Sequence, residues 1–232
     1  MQKVISQKIS HIGIILDGNR RFAKRLLLKP WKGHEYGAEK VNALFDWATE
    51  LGIAEFTLYC LSVENIKNRP KNELDYLFKL FRTEFRNMNR EKLEKQNIKI
   101  KFIGDLSLLP KDLAEQCREL EKQTEKNSKF TMNFAFAYGG RQEIIAAVKK
   151  IIKNKLVPEE INEESFQKHL WITSPPDLII RTGGEKRTSN FMPWQAAYSE
   201  WFFLDKFWPE FSKEDLIQCI NEFQRRKKNF GR

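Results

Sequence analysis

Disulfide chemistry is the first thing this chain does without. Its 232 residues hold three cysteines, Cys60, Cys117 and Cys219, an odd number, widely spaced and without a Cys-x-x-Cys pair. Unpaired thiols in a reducing, cytoplasmic setting are the expectation. Residues 1–10 lack the apolar run of a signal peptide. No stretch approaches the roughly 20 apolar residues of a membrane span, so a soluble protein is expected. There is no internal repeat, linker or low-complexity segment, and residues 1–232 are expected to form a single domain. Acidic residues are also short: 31 against 41 basic, a net charge of +10. That balance suits phosphates, nucleic acid or an anionic membrane surface. No recognition-helix, zinc or aromatic-platform motif supports the second, so no nucleic-acid partner is expected.

What is present can build a core. The chain is 41% hydrophobic and 31% charged, outside the disordered range. Eighteen phenylalanines and six tryptophans fit either a large apolar cavity or a generous core. Apolar runs predict strands at 11–16, 56–61, 98–103, 130–137, 178–180 and 201–204. Helical spacing predicts helices at 20–26, 34–51, about 74–88, 111–126, 141–153, 161–170 and 212–228, with Gly52 ending the second. Residues 62–70 read as a polar loop. Strands alternating with helices predict an α/β fold, a mostly parallel sheet with helices on both faces.

In such sheets ligands sit beyond the carboxyl ends of the strands, and the polar groups collect there. Asp17-Gly18-Asn19 follows the first strand, Ser62 to Asn65 the second and Gly139-Gly140-Arg141 a later one. The densest stretch runs from Pro176 to Phe191, where a buried strand ends on Arg181 and Thr182-Gly183-Gly184 makes a turn. Glycine there lets backbone amides approach a ligand. With Arg187 and Ser189 close behind, the stretch has what an oxyanion-rich ligand requires, although a solvated basic loop would read similarly. The basic cluster 225–228 reads as a solvated helix end or a membrane-surface contact.

Five motifs occur in a recognisable order: Asp17 to Lys24, Gly33-His34, Leu61 to Asn65 with Arg69-Pro70, Tyr138 to Arg141, and the Arg181 stretch through Trp194 to Glu200. Together they closely resemble the cis-prenyltransferases, the undecaprenyl diphosphate synthase family, from about residue 11 to 211. The resemblance implies a six-stranded parallel sheet ringed by helices with a hydrophobic tunnel. It implies repeated Mg²⁺-dependent condensation of isopentenyl diphosphate onto an allylic diphosphate, yielding the lipid carrier for glycan assembly, usually by a homodimer. The paired Asp-Asp-x-x-Asp motifs of the all-helical trans-synthases are absent. A non-catalytic subunit of the same fold is the alternative, but such subunits tend to lose the Asp-Gly-Asn turn.

By that resemblance Asp17 and Glu200 would hold Mg²⁺. Gly18, Asn19, Arg20, Arg21 and Phe22, with His34, would cradle the allylic diphosphate. Arg181, Arg187, Thr188 and Ser189 would bind isopentenyl diphosphate, and Arg69 would serve a diphosphate too. Ser62, Val63 and Glu64 belong to the loop that carries Asn65, a family proton-acceptor position. An amide is a very poor base, so Asn65 reads as an orienting group, with Asp17 or a diphosphate oxygen taking the proton. Tunnel walls are expected from Leu74, Phe78, Phe81 and Phe85 and from Phe130, Met132, Phe134 and Phe136, a stripe that alone would be ordinary core. Three departures stand out: Pro30 replaces a family arginine, with Lys29 and Lys32 nearby; one residue is inserted before Arg69; and Phe22 replaces tryptophan. Arg20-Arg21 and Pro30-Trp31 look closer to archaeal members, which points to geranylgeranyl diphosphate, beside farnesyl diphosphate, as primer. Peripheral membrane contact is the expected route of product release.

Overall fold

The computed structural model describes residues 9–226; the expected leaderless start and the end of the basic cluster, Lys227-Lys228, lie outside them. Six strands form one sheet in the order β3-β4-β2-β1-β5-β6. They are β1 (His11–Ile15), β2 (Glu55–Ser62), β3 (Ile98–Ile103), β4 (Phe130–Tyr138), β5 (Leu178–Arg181) and β6 (Glu200–Phe203). Every pairing is parallel. Parallel strands are covered on both faces, so they read as unbroken apolar runs, and β1 and β5 are buried at every position.

The helices are α1 (Asn19–Arg25), α2 (Gly33–Leu51), α3 (Val63–Asn68), α4 (Lys71–Asn87), α5 (Arg90–Lys95), α6 (Lys111–Gln123), α7 (Gly140–Lys153), α8 (Glu163–Gln167) and α9 (Lys213–Arg225). Side chains alternate across the sheet. Ile12, Ile14, Phe56, Leu58, Phe134 and Ile180 face a large core shared with α2, α4, α6 and α9. Gly13, Ile15, Tyr59 and Ile179 face a smaller one with Phe191 and Met192. On that second face α7 is anchored by Glu143, which is fully buried. Its carboxylate accepts hydrogen bonds from the Trp171 and Ile172 amides, from Gln195 Nε2 and from the Tyr138 hydroxyl. Burial raises the Glu143 pKa.

Residues 62–70 are the main departure from the sequence reading. Ser62 N-caps α3: its hydroxyl accepts the Asn65 amide at 3.0 Å, and the Asn65 side chain faces back toward the Ser62 amide at 3.5 Å. This reciprocal cap turns a polar segment into a helix, and its polarity hid that from a search for apolar periodicity. Helix α5 was likewise unforeseen, and 161–170 contains only the five residues of α8. The three cysteines are unpaired, as expected. Among the described residues no helix is long and apolar enough to cross a membrane.

Candidate active site

The carboxyl ends of β1, β2 and β5 converge on one pocket, and Asp17 stands at its centre. Its Oδ1 accepts from the Gly18 amide at 2.6 Å and from Arg21 at 3.2 Å, and its Oδ2 from Arg181 at 2.8 Å. The backbone around it is fixed by Thr182 Oγ1 and the Trp208 amide, both donating to the Asp17 carbonyl. Gly18 ends the turn at φ +104°. Arg181 closes β5 with its side chain only 4% exposed, held by Asp17, the Arg187 carbonyl and Ser189 Oγ at 2.8 Å. Its Nε is buried with no partner, as is Oδ1 of Asn19. A buried guanidinium with a spare donor is suited to binding an oxyanion.

The Gly183-Gly184 turn works differently from the sequence reading. Its amides do not face a ligand; they donate to the carbonyls of Lys206 and Leu204, tying the turn to the end of β6. Glycine is needed because φ is +91° at Gly183, and a Cβ there would lie 2.7 Å from the Arg21 guanidinium. Neither glycine lines the cavity, whereas the side chains of Arg181, Arg187 and Ser189 do.

Opposite Arg181, α3 and α4 bring a second basic group. Arg69 Nη2 lies 3.4 Å from Asn65 Oδ1, and its Nη1 lies 3.5 Å from His34 Nε2 and 3.3 Å from Glu73. Glu73, a buried carboxylate, also pairs with Arg20 at 3.6 Å. Burial, with Arg69 and Arg20 close by, lowers His34 to a pKa of about 3, so it is a neutral imidazole. Sequence reasoning passed over Glu73. The available signal was its position one helical turn after Arg69.

The structure sorts the expected site residues. Asp17, Asn19, His34, Ser62, Asn65, Arg69, Arg181, Arg187 and Ser189 line one cavity. Arg20 and Arg21 stand beside it through Glu73 and Asp17, and Arg21 is linked to Arg187 through Glu185. Several do not reach it. Val63 is buried in the first turn of α3, and Phe22 packs edge-on against Tyr36. Exposed Glu64 accepts from Asn190, whose carbonyl and side chain also hold the Gly140 and Arg141 amides. Thr188 is exposed and gives its carbonyl to Phe191. Neither lysine near Pro30 substitutes for an arginine in the cavity: Lys32 pairs with Glu35, and Lys29 lies over the Trp31 ring.

Glu200 is the clearest displacement. It begins β6, level with Leu178, while Arg181 pairs with Phe203 at the other end. Three residues of strand, about 10 Å at 3.3 Å each, separate it from the level of Arg181, and Asp17 lies beyond. Its carboxylate accepts from Arg226 at 2.6 Å. One chain therefore does not bring Glu200 to Asp17, and no cluster of three metal-ligating side chains exists among the described residues.

From this polar mouth the cavity, about 350 Å³, runs inward between α2, α4 and the sheet. Phe81, Phe85, Phe134 and Phe136 wall it as expected, whereas Phe78, Phe130 and Met132 belong to the core and Leu74 packs against it. Val41 and Ala38 of α2, Leu80 and Glu84 of α4 and Met88 just past its end were missed as walls. A further cavity of about 320 Å³ shares Asn42, Glu84 and Met88 with the first. Glu84 is thus a carboxylate that lines both cavities, its pKa raised by burial.

Residues 15–231 match the Prenyltransf family model, that of undecaprenyl diphosphate synthase. The chain belongs to the undecaprenyl diphosphate synthase family. It is a prenyltransferase, as are its relatives. It is 43% identical, over its whole length and 90% of the other chain, to tritrans,polycis-undecaprenyl-diphosphate synthase (geranylgeranyl-diphosphate specific) of Methanopyrus kandleri. The Pyrococcus abyssi enzyme of the same name is 44% identical over 96% of this chain and 86% of its own. Among solved structures, lavandulyl diphosphate synthase from Lavandula x intermedia, in complex with dimethylallyl diphosphate, superposes with a TM-score of 0.91. It is 34% identical, over 97% of this chain and 98% of its own. The expected fold and the archaeal likeness are both borne out.

Proposed function

We propose that the chain elongates an allylic diphosphate, with geranylgeranyl diphosphate as primer, by successive cis condensations with isopentenyl diphosphate to a polyprenyl diphosphate. The observation that carries this is one continuous cavity: five arginines gather at and beside its mouth, and phenylalanines wall its interior. Diphosphate and polyprenyl chain have that polarity in that order. The names of the archaeal relatives support the primer and the chain-elongating outcome.

In each cycle the allylic C1–O bond breaks and diphosphate leaves with the electron pair. The isopentenyl double bond then attacks C1, and a proton leaves its C2. Arg69, Arg20, Asn19 and neutral His34 form the cradle for the allylic diphosphate; Arg181, Arg187 and Ser189 form that for isopentenyl diphosphate. Asn65 is fixed by the α3 cap and by Arg69, which favours a positioning role. The proton goes to Asp17 or to a diphosphate oxygen. The donor set suits Mg²⁺ with Asp17 as a single carboxylate, because this ion keeps waters and takes substrate phosphates for the rest of its shell. Bound there, Mg²⁺ would neutralise charge on the departing diphosphate.

Glu200 can join such a site only from a second copy. A homodimer is supported by an exposed apolar strip on α7, Ile145, Val148 and Ile152, with exposed Tyr198. An apolar product also favours peripheral contact with a membrane. Isotopic incorporation from isopentenyl diphosphate should stop with EDTA and return with Mg²⁺. Incorporation that persists in EDTA would remove the metal from the account.

A further inference from the structure

The turn after α1 carries Leu26, Leu27 and Leu28 in succession, and all three face water, at 45%, 95% and 39% exposure. Their backbone is fixed. The Leu28 amide donates to the Ala23 carbonyl at 2.9 Å and the Leu27 amide to that of Lys24 at 3.0 Å. This is the helix-ending arrangement whose left-handed residue is usually glycine. Here it is Leu27, at φ +59°. A branched side chain in that conformation is strained, and its exposure leaves little packing to offset the strain. Cations flank it. Among the described residues neither Lys24 nor Lys29 has a carboxylate partner, Lys29 lying over the Trp31 ring; Arg25 pairs with Glu210. Helix α1 has seven residues, so the tip stands about 10 Å from the Asp17 turn where the helix starts.

We propose that Leu26–Leu28 is a membrane-docking tip, its leucines entering the interface of a bilayer while Lys24 and Lys29 meet anionic headgroups. Three aliphatic side chains between cations match the layering of a lipid surface, hydrocarbon below phosphate. The tip gives residues to the membrane contact proposed above and rests on that reading only for its purpose.

The test is co-sedimentation of the full chain with vesicles of phosphatidylcholine alone or mixed with phosphatidylglycerol. The mixed vesicles should bind it preferentially, and added salt should weaken binding. Leu27→Glu should lower the partition by about tenfold or more, because it adds a charge while removing an apolar group. Leu27→Gly should also lower it yet raise the thermal midpoint, since glycine accepts φ +59° without strain. A purely structural Leu27 would not divide the two readouts in that way. Leu27→Glu binding like wild type overturns the tip. So does absence of binding to either vesicle, the outcome for a protein-docking loop; in that case intact condensation on a short, water-soluble primer leaves the prenyltransferase reading standing.

Discussion

At the residue scale, few carboxylates face many guanidiniums around the mouth of the cavity. Asp17 is the acceptor for both Arg21 and Arg181, so its removal has two consequences. Asp17→Ala strands the buried Arg181 charge, a change that costs about 3–5 kcal/mol for a buried pair. Asp17→Asn keeps the shape and one acceptor oxygen but not the charge that pairs Arg181, so it too loses stability, less than Asp17→Ala. We predict that it lowers kcat at least about a thousandfold, or about 4 kcal/mol of barrier, at temperatures where the variant is still fully folded. A fully active Asp17→Asn enzyme sinks the metal-holding assignment. Arg181→Lys should raise KM for isopentenyl diphosphate by about tenfold or more, because an ammonium cannot span Ser189 and Asp17 together. An unchanged KM would move that substrate elsewhere.

His34 makes a prediction with a definite sign. Its folded pKa is about 3, against 6.5 unperturbed. Between those values the unfolded chain takes up a proton that the folded chain refuses, so stability falls as pH drops through that window. Buried His11 is shifted in the same direction. Denaturant midpoints measured from pH 7 down to pH 4 should therefore decline, and less steeply in His34→Gln. Equal slopes would show that His34 is not held neutral.

At the scale of elements, the strands and long helices were legible because burial leaves its mark on sequence. Five-residue β1 is apolar or buried throughout, and Gly52 stops α2 in the left-handed conformation. What escaped was fixed by polar reciprocity or by close approach. The Ser62–Asn65 cap made a helix from a polar run, and Gly183-Gly184 gave its amides to β6 although the pattern suggested a ligand. Site residues were legible where a charge sits at a strand end, as with Asp17 and Arg181. Glu73 was hidden because a buried carboxylate inside a helix looks like a solvated one until its arginines are in view. Along the tunnel, α2 contributes through the small faces of Ala38 and Val41, which no aromatic stripe announces. Val41→Trp should shorten the product by several isoprene units, as sized by chromatography of the dephosphorylated lipids. A product of unchanged length would mean that the chain does not pass between α2 and α4.

At the scale of the whole molecule, the sheet sets one end against the other. The arginines of the cavity mouth gather at the carboxyl ends of the strands, and Glu200 lies at the amino end of β6 with Arg226. A homodimer joined through α7 would let a second copy's Glu200 approach a site its own chain cannot complete. Ile152→Asp should then yield a monomer by light scattering and lower activity with it; a fully active monomer would dismiss Glu200 from the site.

The most direct measurement supplies the wild-type protein with Mg²⁺, labelled isopentenyl diphosphate and, separately, geranyl, farnesyl or geranylgeranyl diphosphate, and sizes the dephosphorylated products. A ladder ending at one dominant length, fastest from geranylgeranyl diphosphate, is what one cavity with a basic mouth and a phenylalanine-walled interior predicts. Folded protein that incorporates no label with any primer would contradict it and return the chain to the role of a non-catalytic subunit.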